Sequence, residues 1–276
     1  MARFAAILLA LSLAAGGALA ASPEAVYLAA RDKAIAEIKA LEDSKASESA
    51  IQAAEDKASA DLKKRLRDIL GPVAVKGFPP PDELNIALSH FQEGYGDLDG
   101  LASYGKGIQA LLVTTRPLVK AWLEASSKDE DKEKRQPTDI DAAARREDYY
   151  NGSLYSDAGF SKHADLPVTK PAGADLAVAA LGEFTQGFGF ELPDTIVATV
   201  VKRDRVLIAS VGRKTPIGKI PACEPIWARA QRNQADVEDP IERDYRACFS
   251  AHAPKERYFA GLTREAQSLV DRLARD

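Results

Sequence analysis

Cysteine is nearly absent from this chain of 276 residues: Cys223 and Cys248 are the only two, beside one methionine and three histidines. They have no C-x-x-C spacing, and no histidine stands next to either in sequence, which argues against a redox pair. The chain has no H-E-x-x-H, no H-x-H and no G-x-S-x-G, so neither a helical zinc site nor a nucleophile elbow is indicated. A basic excess is also missing. Lys and Arg number 37 against 41 Asp and Glu, a net charge of −4, whereas nucleic-acid binding needs a cationic face to neutralise phosphates. After the first residues no stretch approaches the ~20 consecutive apolar side chains of a membrane-crossing helix.

What is there begins with a targeting pattern. Arg3 precedes an apolar run over residues 4–15, and Ala18-Leu19-Ala20 supplies small residues around a cleavage point. This reads as a signal peptide over 1–20, with an exported mature chain in the periplasm or outside the cell and no membrane span of its own. In an oxidising compartment two lone cysteines are expected to pair. A Cys223–Cys248 bridge would stabilise the fold by roughly 3 to 3.5 kcal/mol on the chain-entropy model.

The pattern that follows predicts an α+β protein: an N-terminal helical hairpin, a small and mainly antiparallel sheet, and C-terminal helices tied by the one disulfide. Ser22-Pro23-Glu24 is a helix start, and Leu28, Ile35, Ile38 and Leu41 recur at helical spacing. A polar break at 44–49 precedes a second helix, whose expected capping box is Ser49 with Gln52 and whose end is Gly71-Pro72. The hairpin, over 21–71, is Ala-rich with few large residues, and so reads as an appended module.

A first α+β segment is expected over 72–125. Leu84, Ile86 and Leu88 alternate with smaller or polar residues, 110–115 is a β-branched run, and Pro117 opens a helix. Residues 126–148 carry charges of both signs and almost no large apolar side chain, which reads as a solvated linker. A second α+β segment is expected over 149–276. Residues 195–201 and 206–211 read as a hairpin of fully covered strands, and two helices close the chain, one around Trp227 and one carrying Leu262 and Leu269. Residues 176–186 stay open, either a helix capped by Asp175 or a buried strand.

The stretch GYGDLDGLASYGKG, residues 94–107, resembles two ligand loops at once. G-x-x-x-x-G-K-G lacks the Ser or Thr that a P-loop places on magnesium, since Gly107 stands there. As a calcium loop it puts Tyr95 and Lys106 at the first and twelfth ligand positions. It is expected to be a glycine-rich acidic turn, and no cofactor or metal is called. Three scattered histidines and many carboxylates single out no catalytic residue.

One segment has the composition of a recognition surface. Residues 149–163, YYNGSLYSDAGFSKH, combine Tyr149, Tyr150, Tyr155 and His163 with small hydrogen-bonding neighbours, and amphipathic rings in such company make large contacts at low entropic cost. The sequence therefore predicts a non-enzymatic exported protein that binds an unidentified protein or envelope component. A hydrolase of envelope polymers working through carboxylate or histidine groups is the alternative.

Overall fold

The computed structural model describes residues 21–78, 85–87, 98–105, 109–126, 139–145, 164–182, 195–212, 222–233, 240–252 and 255–275. The chain is α+β, as expected. Helices α1 (Pro23–Asp43) and α2 (Glu48–Leu70) form the hairpin. Strands β1 (Asn85–Ala87), β2 (Gly100–Gly105) and β3 (Gln109–Thr115) lead into α3 (Arg116–Ser126) and α4 (Ile140–Arg145). Then come β4 (Ala164–Leu166), β5 (Leu176–Gly182), β6 (Thr195–Lys202) and β7 (Arg205–Val211). Three helices follow, α5 (Glu224–Asn233), α6 (Pro240–His252) and α7 (Lys255–Leu273). The segment expected to join two closing helices is itself helical and carries Cys248.

Local chemistry sets the helix ends. Ser22 Oγ accepts from the Ala25 amide at 3.2 Å and Pro23 takes the first turn, as expected. For α2 the cap is Ser47, whose Oγ accepts from the Ala50 amide at 3.3 Å; Gln52 of the expected capping box instead bonds Asp56 one turn on. The helix stops at Gly71, where φ is 64°.

Among the described residues all strands pair antiparallel in one seven-stranded sheet of order β1-β2-β3-β7-β6-β5-β4. Two meanders thus meet where β3 lies against β7. Both faces are covered, which is why the central strands read as continuous apolar runs. One face carries Leu111, Val113, Leu207, Ala209, Ala198 and Val200, in one cluster with Leu62, Leu66 and Leu70 of α2 and Leu262, Leu269 and Leu273 of α7. The other carries Leu112, Ile208, Val197, Val201 and Val178, packed with Val119, Trp122 and Leu123 of α3 and Ala143 and Ala144 of α4.

This arrangement corrects the picture of an appended hairpin. Tyr27 of α1 and three leucines of α2 are fully buried in the same cluster as the sheet. Few large residues are needed, because they concentrate near the N-terminal end of α1 and the C-terminal end of α2. Residues 176–182 are a strand: alanines at 177, 179 and 180 fill the narrow space beneath the covering helices, and every position is buried.

Residues 100–105 are likewise strand rather than turn. Gly100 is required by proximity, since a Cβ there would stand 2.5 Å from the Val113 carbonyl oxygen and 2.6 Å from Leu112 Cδ1. The extended backbone removes the phosphate-loop reading on geometric grounds as well as chemical ones. Among the described residues no helix is long and apolar enough to cross a membrane.

Candidate functional site

The two ends of the sheet differ in construction. At one end the chain enters β4 at Ala164, leaves β5 at Gly182, enters β6 at Thr195, leaves β7 at Val211 and passes from β2 to β3. The register places these points together, with Ala164 opposite Leu181, Gly182 opposite Thr195, Ile196 opposite Val211 and Gly105 opposite Gln109. Segment 146–163 runs into Ala164, 183–194 joins Gly182 to Thr195, and 213–221 follows shortly after Val211, so each has at least one of its termini at this end. Tyr149, Tyr150, Tyr155 and His163 lie outside the described residues, and so do Tyr95, Asp97, Lys106 and Gly107 of the stretch 94–107. Sequence reasoning passed over the second anchored segment, EFTQGFGFELPD at 183–194, which holds Phe184, Phe188 and Phe190 between glycines and polar residues. The signal that could have found it is its composition, close to that of 149–163.

The opposite end is built from tight, charged connections. Strands β6 and β7 are joined by Arg203 and Asp204 alone, with Arg203 at a left-handed φ of 56°. Glycine or asparagine is the usual choice at such a hairpin turn; here partners hold an arginine backbone in place. Asp175, just before β5, accepts from the Arg203 amide at 3.0 Å and from Arg116 Nη2 at 2.8 Å. Arg116 Nε donates to the Arg203 carbonyl at 2.6 Å, and the Arg116 amide to that of Asp204 at 2.9 Å. The hydrogen bond from Arg116 holds the Asp175 carboxyl below the ordinary carboxylate range, helped by the Arg203 amide. Asp175, a helix cap in one of the two readings of 176–186, ties the entry of β5 to the start of α3 and the β6–β7 turn.

The same turn closes two helices. Lys202 Nζ donates to the Ala274 carbonyl at the end of α7 at 2.9 Å, and Arg205 Nη2 to the Leu70 carbonyl at the end of α2 at 3.1 Å. Cations at helix C-termini satisfy orphan carbonyls and complement the helix dipole. A cleft of about 540 Å³ has Lys202, Arg203, Asp204, Arg205 and Leu207 in its lining among the described residues. Sequence reasoning took 202–205 for a plain connector. The clue was four consecutive charged residues in a turn without glycine or asparagine.

A third polar feature lies at the edge of the core. Arg31 Nη1 of α1 bonds Asp99 Oδ2 at 2.6 Å, and both side chains are largely buried, 16% and 4% exposed. Asp99, within the stretch 94–107 that resembles a calcium loop, is therefore a partner of the N-terminal helix. The nearby Tyr27 hydroxyl is buried beside the Asp99 carboxylate; burial, then that carboxylate, pushes its ionisation above the ordinary tyrosine range. Among the described residues no group of three His, Cys, Asp or Glu side chains is placed to hold a metal.

Cys223, just before α5, and Cys248 of α6 are bonded, with their Cα atoms 5.8 Å apart. The expected disulfide is present, and it ties two neighbouring C-terminal helices. Compared with known protein families, known proteins and solved structures, the chain shows no match.

Proposed function

We propose that the protein is an exported, non-enzymatic binding protein of the cell envelope, which engages a protein or envelope component through the connections at one end of its sheet. The observation that carries this reading is the convergence of strand ends: Ala164, Gly182, Thr195 and Val211 meet at one end. The segments they anchor hold Tyr149, Tyr150, Tyr155, His163, Phe184, Phe188 and Phe190. A rigid scaffold carrying variable connections is the usual arrangement for recognition, and aromatic rings set among small polar residues suit a partly wet contact. Export is supported by the residue pattern of 1–20 together with the Cys223–Cys248 bridge, which suits an oxidising compartment.

The test is site-specific photo-crosslinking in intact cells of the source organism. A photoreactive side chain is placed at Tyr150 or Phe188, with a control at Lys64, exposed on α2. The reading expects discrete adducts from the first two positions, suppressed by excess unlabelled protein, and none from Lys64. Equal adducts at all three, or none, would count against it. Release of soluble fragments from purified envelope polymers would instead support a hydrolase.

A further inference from the structure

We propose that the protein pairs with a second copy of itself through the N-terminal hairpin, the two α2 helices lying antiparallel so that the acidic tip of each hairpin meets the basic root of the other. The pairing uses none of the segments proposed to engage a partner and stands independently of that reading.

The root of the hairpin belongs to the sheet: Tyr27, Leu28 and Ala30 of α1 and Leu62, Leu66, Ile69 and Leu70 of α2 lie in one cluster with it. No residue from 32 to 61 is in either core cluster. Within that arm Ile38 is the one large apolar side chain that is fully buried. The part of α2 from Glu48 to Asp61 is ~21 Å long at the helical rise. Two helices joined by so thin a seam are marginal alone and are stabilised by a further helical surface.

What says that the further surface is a second hairpin is the distribution of charge. The tip carries Glu42, Asp43 and Glu48 against Lys45, whereas the last turns of α2 carry Lys63, Lys64 and Arg67 against Asp68. Glu42, Asp43, Glu48, Lys63, Lys64 and Arg67 are all exposed, and none makes an ion pair among the described residues. A two-fold axis passing between Asp56 and Lys57 of α2 sets Asp56 of each copy beside Lys57 of the other, and brings residues 42–48 level with 63–67 of the partner copy. The same patch then serves both copies, as a closed two-fold interface requires. Ala50, Ala53 and Ala60 are exposed on α2 between these charges, and small side chains there allow the close interaxial distance that an oppositely charged rim needs.

The experiment is sedimentation velocity of the mature protein and of two charge-reversed variants, Lys63→Glu/Lys64→Glu/Arg67→Glu and Glu42→Lys/Asp43→Lys/Glu48→Lys, each alone and then mixed. The parent should show a concentration-dependent equilibrium of monomer and dimer that loosens as added salt screens the charges. Each variant alone sets like charges together at both ends and should dimerise roughly tenfold or more weakly. An equal mixture of the two should recover a dimer, because the reversed root of one then faces the reversed tip of the other. The altered side chains are exposed and unpaired, so the Tm of each variant should stay close to that of the parent, and recovery in the mixture itself requires that both are folded. A parent that is monomeric at every concentration, undiminished dimerisation of either variant alone, or a mixture of folded variants that stays monomeric would overturn the proposal.

Discussion

Arg31 and Asp99, 68 residues apart in sequence, meet at 2.6 Å in a largely buried ion pair that fastens the first helix to the start of strand β2. Removing one partner of such a pair takes the nearest opposite charge from a largely buried group. Asp99→Leu is expected to cost about 3 kcal/mol, and Arg31→Met a similar amount, whereas the double variant Arg31→Met/Asp99→Leu should return to within about 1 kcal/mol of the parent. Urea unfolding of the parent, the two single variants and the double variant gives the cycle; additive losses would mean that the two side chains act separately.

The Asp175 carboxyl makes the charged end of the sheet acid-sensitive. Its folded pKa is depressed by Arg116, so its contribution is present above the ordinary carboxylate pKa of ~4 and is lost as pH falls through the folded value. Asp175→Asn should flatten the decline of Tm on acidification between about pH 5 and 3 relative to the parent. Parallel Tm curves for the two proteins would remove Asp175 from the account.

Much of this was legible because the signals were local. Ser22 with Pro23, Gly71, and the β-branched runs of β3, β6 and β7 all specify their own conformation. Strand β5 was ambiguous for a physical reason: each of its seven positions is buried, so polarity does not alternate, and its alanines fit a helix as well as a strand. Strand β2 was hidden by Gly100, whose role is close approach to Val113 and Leu112 across the sheet. The Arg116–Asp175–Arg203 network spans 87 residues from Arg116 to Arg203, and no local pattern reports on it. Of the recognition residues proposed here, Tyr149, Tyr150, Tyr155 and His163 were read from composition alone, while the shared anchoring of their segment with Phe184, Phe188 and Phe190 emerged only from strand register.

The hairpin turn offers a stabilising substitution. Lys45 takes φ 54° between α1 and α2, a conformation that costs an ordinary side chain about 1 kcal/mol or more. Lys45→Gly should therefore raise unfolding free energy by about 0.5 to 1 kcal/mol even after the added freedom of the unfolded chain. Chemical denaturation checks this, and a loss of stability would show that the lysine side chain is needed there.

Reduction of the Cys223–Cys248 bond opens a loop with a sequence separation of 25. Unfolded but unreduced protein should show no reactive thiol, and Cys223→Ser/Cys248→Ser should lose about 3 kcal/mol. Two labelled thiols before reduction would contradict the bond.

The most direct test of the proposed function is the triple variant Tyr149→Ser/Tyr150→Ser/Tyr155→Ser, carrying the photoreactive group at Phe188. If these rings form a recognition surface, Tm should stay within a few degrees of the parent while the adduct disappears. If they are core residues, each loss should cost on the order of 3 kcal/mol and the protein should fail to fold. A folded triple variant that still yields the full adduct would contradict the account equally.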